Sequence, residues 1–92
     1  MTTVKDHLEG INYTLKENGA ETTIFKLSLV WKYSILYLIQ KGALDFSDPV
    51  EKWKAYVERY SPADHFKTAN AFLKRQGAAP LNYRDDMFRN SV

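Results

Sequence analysis

Between Thr22 and Lys41 the chain carries no Gly, Pro, Asn or Asp, and most of the intervening residues are apolar. A stretch without turn residues has nowhere to reverse direction, so it must form one continuous element. Its pattern is ambiguous at first. Every odd residue from Phe25 to Ile39 is apolar while Lys26, Ser28, Lys32 and Ser34 hold even positions, which is strand alternation. Length decides otherwise, because fifteen extended residues would span roughly 50 Å, about twice the width implied by a radius of gyration near ~12 Å for a chain this short. Coiled as a helix, the same stretch measures about 25 Å. A helix over 23–41 is therefore predicted, starting at Thr22 or Thr23 and stopping at Gly42.

On a helical wheel this segment has two apolar faces. Ile24, Leu27, Trp31, Ile35 and Leu38 gather on one side and Phe25, Leu29, Tyr33 and Leu36 on the other. Lys26 and Ser34 mark one polar seam, and Ser28 and Lys32 mark the opposite one, where lysine stems can reach water. A helix apolar nearly all round must be covered nearly all round. Leaving one face wet would forfeit about 1.5–3 kcal/mol for each large side chain, comparable in sum with the stability of a small domain. Only 92 residues are available to cover it. The second face, Phe25, Leu29, Tyr33 and Leu36, is accordingly the candidate surface for self-association, as a homo-oligomer and most simply a dimer.

The flanking segments read as amphipathic helices. Thr3-Val4-Lys5-Asp6 has the form of a capping box, and Val4, Leu8, Ile11 and Leu15 follow as a stripe that Asn18-Gly19 should end in a left-handed stop. Ser47-Asp48-Pro49 reads as an N-cap before Val50, Trp53, Val57 and Tyr60. Ser61-Pro62-Ala63-Asp64 repeats the start signal before Phe66, Ala69, Phe72 and Leu73, with Gly77 as the stop. The expected fold is all-α, a small four-helix bundle-like domain over 1–77 with helices near 3–17, 23–41, 48–60 and 62–76, and a C-terminal tail over 78–92. The alternative is α+β, with a β-hairpin around residues 11–30 turning at Glu17-Asn18-Gly19-Ala20.

Composition excludes several classes of function. The chain has no cysteine, hence no disulfide framework, thiolate metal site or cysteine nucleophile. Its four glycines are scattered, so there is no phosphate-cradling loop. No HExxH, EF-hand or repeated Glu-x-x-His pattern marks a metal site. Asp6-His7 and Asp64-His65 read as capping acids beside exposed histidines. The serines lack an elbow motif, and Asp85-Asp86 reads as a solvated turn. No enzyme and no cofactor are expected. Ile24 to Ile39 is shorter than the ~20 apolar residues of a spanning helix and contains two lysines, so no membrane association is expected. The opening residues lack a basic-then-apolar export signal, which points to a cytoplasmic protein.

What remains is interaction. The expected function is a non-catalytic protein-binding module, a small regulator, inhibitor or assembly factor that binds a larger protein or itself. Tyr83, Arg84, Met87, Phe88 and Arg89 in the tail are the candidate partner-binding residues, being types favoured at interfaces. The alternative is a DNA-associated regulator. From Ser47 onward eight basic residues face six acidic ones, and Lys67, Asn70, Lys74 and Arg75 would line the groove-facing side of the fourth helix. A third reading is an accessory subunit of an enzyme.

Overall fold

A computed structural model, which describes residues 2–81, has helices in all four expected places: α1 (Val4–Glu17), α2 (Thr23–Gln40), α3 (Val50–Arg59) and α4 (Pro62–Arg75). No strand is present among the described residues, and the only β-type pairing there is an isolated antiparallel bridge between Thr3 and Pro49. The hairpin alternative over 11–30 is overturned. Ile11 to Glu17 and Thr23 to Val30 are both helical, and the segment between them links two helices, with Thr22 N–H donating to the Gly19 carbonyl at 3.1 Å. Helix satisfies the backbone of each segment internally, whereas an isolated two-stranded hairpin is marginal in water.

The helix ends account for their own orphan backbone groups. At α1, Asp6 N–H donates to Thr3 Oγ1 (3.2 Å) and Thr3 N–H to Asp6 Oδ2 (3.1 Å), completing the capping box. The next two donors are taken from outside the helix: Val4 N–H by the Asp48 carbonyl (2.8 Å) and Lys5 N–H by the Phe46 carbonyl (3.0 Å). In return, Val50 N–H at the start of α3 donates to the Thr2 carbonyl at 3.0 Å. The starts of α1 and α3 therefore cap each other. This explains a departure from sequence expectation at α3, whose N-cap is Pro49 with no side-chain cap. The Asp48 carboxylate accepts from Asp45 N–H (2.9 Å) and Lys52 Nζ (3.1 Å), and Ser47 Oγ donates to Asp45.

Two helices stop as the sequence suggests and one does not. Gly42 and Gly77 adopt φ of 77° and 73°. Each sits in a Schellman motif, Gly42 N–H to the Ile39 carbonyl with Ala43 N–H to Leu38, and Gly77 N–H to Lys74 with Ala78 N–H to Leu73. At the end of α1, Asn18 stays extended and no left-handed residue appears. Its Nδ2 donates instead to the Thr14 carbonyl at 2.8 Å, as does its own N–H at 3.1 Å.

Packing resolves the two faces of α2. The helix packs most extensively against α4 and next against α1, while α3 touches α1. Val4, Leu8, Ile11, Ile35, Leu44, Val50 and Trp53 form one buried cluster, with Trp31, Leu36, Leu38 and Ile39 of α2 at its edge. Val30, Phe66 and Ala69 form the other, joined by Tyr33 and Leu81. Both sides of α2 are thus served within one chain. The seam expected to be polar at Ser34 lies in the core: Ser34 is 2% exposed. On the wheel it falls between Val30, which meets α4, and Ile35, which meets α1 and α3, and a small side chain is what fits where two clusters converge. Of the proposed self-association face, Leu36 and Tyr33 are drawn into these clusters, and Phe25 and Leu29 are half-buried beside Ile24, which is 58% exposed.

This division makes a measurable contrast. Ile35→Ala removes a fully buried side chain from the junction of α1, α2 and α3 and should lower unfolding stability by about 2–5 kcal/mol, whereas Ile24→Ser on the same helix should change it by no more than about 0.5 kcal/mol. Urea denaturation followed by circular dichroism reads both.

Candidate interaction surface

The two histidines occupy unexpected positions. His65 is buried, at 4% exposure, and His7 is half-buried, so neither is the exposed neighbour of a cap that the sequence suggests. They flank a tryptophan pair. Trp31 and Trp53 meet edge to face with ring centroids 5.6 Å apart, His7 lies 4.9 Å from Trp53, and His65 lies 4.9 Å from Trp31. One residue of this row comes from each helix. Tyr60 extends it beyond His65 at 6.2 Å, and His65 Nε2 is 3.3 Å from the Val57 carbonyl. The Trp53 indole N–H is buried without a hydrogen-bond partner, the one such side-chain atom among the described residues.

The neighbouring aspartates are occupied as caps. The Thr3 N–H donates to the Asp6 carboxylate and, with the Thr3 side chain beside it, holds that carboxyl below its usual range, and Ser61, through hydroxyl and backbone N–H, does the same for Asp64. Among the described residues no group of three or more potential ligands could hold a metal ion. No helix there is long and apolar enough to cross a membrane.

Charge divides by helix. α2 with its C-cap Lys41, together with α4, carries Lys26, Lys32, Lys41, Lys67, Lys74 and Arg75 against Asp64 alone, a surplus of five. α1 and α3 hold five basic and five acidic residues, and the described loops add Glu21, Asp45 and Asp48. The two helices that pack most extensively on each other therefore hold the positive charge. Aromatic rings lie among these cations. Lys41 Nζ and the Arg75 guanidinium sit 5.6 and 5.5 Å from the Tyr37 ring, Lys32 Nζ is 6.0 Å from Tyr33, and Tyr33 stacks on Phe72 at 5.6 Å.

Two grooves open on this layer and share Lys67 as a wall. One, of about 340 Å³, lies among Tyr37, Tyr56, Tyr60, Asp64 and Thr68. The other, of about 460 Å³, is lined by Lys67, Asn70, Ala71, Lys74, Ala78 and Pro80. Of the four residues singled out for nucleic acid, Lys67, Asn70 and Lys74 line this second groove, and Arg75 lies on Tyr37. The Asn70 amide is already engaged. Its Nδ2 donates to the Leu81 carbonyl (3.1 Å) and its Oδ1 accepts from Leu81 N–H (2.7 Å), fixing the chain as it leaves α4.

The tail candidates Tyr83, Arg84, Met87, Phe88 and Arg89 lie outside the described residues. Sequence reasoning missed Lys41 and Tyr37 as surface partners of Arg75. One signal was available, since Thr22 to Lys41 contains lysines and no acid. No protein-family model matches the chain, and comparison with curated proteins and with solved structures finds no match.

Two measurements follow from this geometry. Burial first, and the nearby Lys54 charge second, lower the pKa of His7 from its ordinary 6.5. The unfolded chain then binds more protons than the folded one between those two values, so stability falls as pH drops through about 6.5. His7→Gln should flatten the profile of unfolding midpoint between about pH 7.5 and 5.5, measured by Trp fluorescence. Asn70→Ala should leave Leu81 N–H without its acceptor and raise its hydrogen-exchange rate at least tenfold, with the amides of α1 unchanged.

Proposed function

We propose that the protein is a non-catalytic interaction module that binds a larger protein, as a regulator, inhibitor or assembly factor. The observation that carries this reading is the surplus of positive charge on α2 and α4, interleaved with Tyr33 and Tyr37. Charge of one sign on one layer steers encounter with a partner of opposite sign, and aromatic and Arg side chains are the types that anchor such contacts. Coverage of α2 by its own chain favours a larger partner over self-association, because the two clusters already use Tyr33 and Leu36. The same cations support the DNA-associated reading, although the Asn70 amide held by Leu81 has no free edge to offer a base.

Affinity capture from the source cells tests the proposal, with the immobilised chain beside a Lys41→Glu/Arg75→Glu variant of unchanged helical content. The expected result is a near-stoichiometric protein partner on the wild type and its loss from the variant. Equal retention by both would remove the layer from the interaction, and retention of nucleic acid alone would favour the DNA reading.

A further inference from the structure

The groove beside α4 has a chemistry of its own. Lys67 and Lys74 are seven residues apart on one face of α4, about 10.5 Å along its axis, and both are exposed. Among the described residues the one salt bridge joins Lys52 to Asp48, so neither lysine is held in a salt bridge there, although Lys67 is near enough to Asp64 for its charge to be felt. Asp64, the single acid of α4, is committed to the Ser61 cap. Between the lysines the lining is small and mostly apolar, from Ala71, Ala78 and Pro80, with the Asn70 amide closed by Leu81. Among the described residues the groove thus offers two cations outside any salt bridge at its ends and an apolar floor between them.

Resting on the interaction-module reading, we propose that this groove binds an extended acidic segment of a partner protein, with carboxylates three residues apart and small apolar residues between. A polyproline II segment has three residues per turn and rises about 3.1 Å per residue, so acids at that spacing lie on one face about 9 Å apart, within reach of both lysines. With the acids turned to the lysines, one of the two other edges of that helix, proline or alanine, lies toward Ala71, Ala78 and Pro80. A polynucleotide is the poorer fit. Among the described residues the lining presents no aromatic ring for stacking and no free amide for a base edge.

The test is fluorescence polarisation of a labelled peptide of three Glu-Pro-Ala repeats titrated with the full chain, beside its Gln-Pro-Ala counterpart. Binding of the Glu peptide should weaken with salt, exceed that of the Gln peptide at least tenfold, and drop at least tenfold in Lys67→Glu/Lys74→Glu. Lys16→Glu, an exposed change on α1, should leave it unaltered. Circular dichroism confirms that each variant keeps its helices. Equal binding of the Glu and Gln peptides, or unchanged binding by the double variant, overturns the proposal. Tighter binding of a twelve-base-pair duplex gives the groove to nucleic acid instead, and tighter binding of a peptide spanning residues 82–92 gives it to the chain's own C-terminus. A chain that fails with the Glu peptide yet loses its captured partner on Lys41→Glu/Arg75→Glu loses the groove and keeps the module reading.

Discussion

The edge-to-face contact of Trp31 and Trp53 is where all four helices meet, and the remaining geometry is arranged around it. Trp31 belongs to α2 and Trp53 to α3, and the histidines that flank them come from α1 and α4. Such ring pairs contribute about 0.5–1.5 kcal/mol beyond the area they bury. Their structural effect here exceeds that figure, because α3 is only ten residues long and too short to persist as a helix alone. Its buried residues Val50 and Trp53 are the points at which it joins the core. One buried indole N–H goes unpaired at this place, a cost of about 1–3 kcal/mol that a ring flanked by two others offsets through burial.

The second constraint on α3 is at its start, where it and α1 exchange backbone hydrogen bonds through Thr2, Phe46 and Asp48. Local capping would have needed a Ser or Asp side chain folded back on the helix. Those side chains at 45, 47 and 48 are used within the loop and, for Asp48, also on Lys52, while the Phe46 and Asp48 carbonyls face α1. A helix start can therefore be capped from across the molecule. The arrangement ties residue 2 to residue 50 and closes the bundle at one end.

The charged layer is a consequence of which helices pack together. Along the chain basic and acidic residues alternate closely enough that the halves differ little in charge. Pairing α2 with α4 brings together the two helices poorest in acid, and the positive charge that each carries separately in sequence becomes one layer. Lys67 and Lys74 are visible in sequence as one helix face. Pro80 and Ala78 join them because Asn70 holds Leu81 and turns the chain back along α4.

Helix content, most helix limits and most of the core were legible in the sequence, because spacing of apolar residues, capping boxes and stop glycines are local signals, while the end of α1 and the start of α3 follow other contacts. Val4, Leu8, Ile11, Trp53, Phe66, Ala69 and Leu73 are buried where their stripes put them. Local signals cannot say which arc of α2 faces which neighbour, since both of its faces are apolar. Tertiary packing decided that Ser34 goes inside and that α2 meets one buried cluster with α1 and α3 and another with α4. It also buried His65 and placed His7 against Trp53. Periodicity determines that a helix has a buried face, and only the partner's shape determines which one.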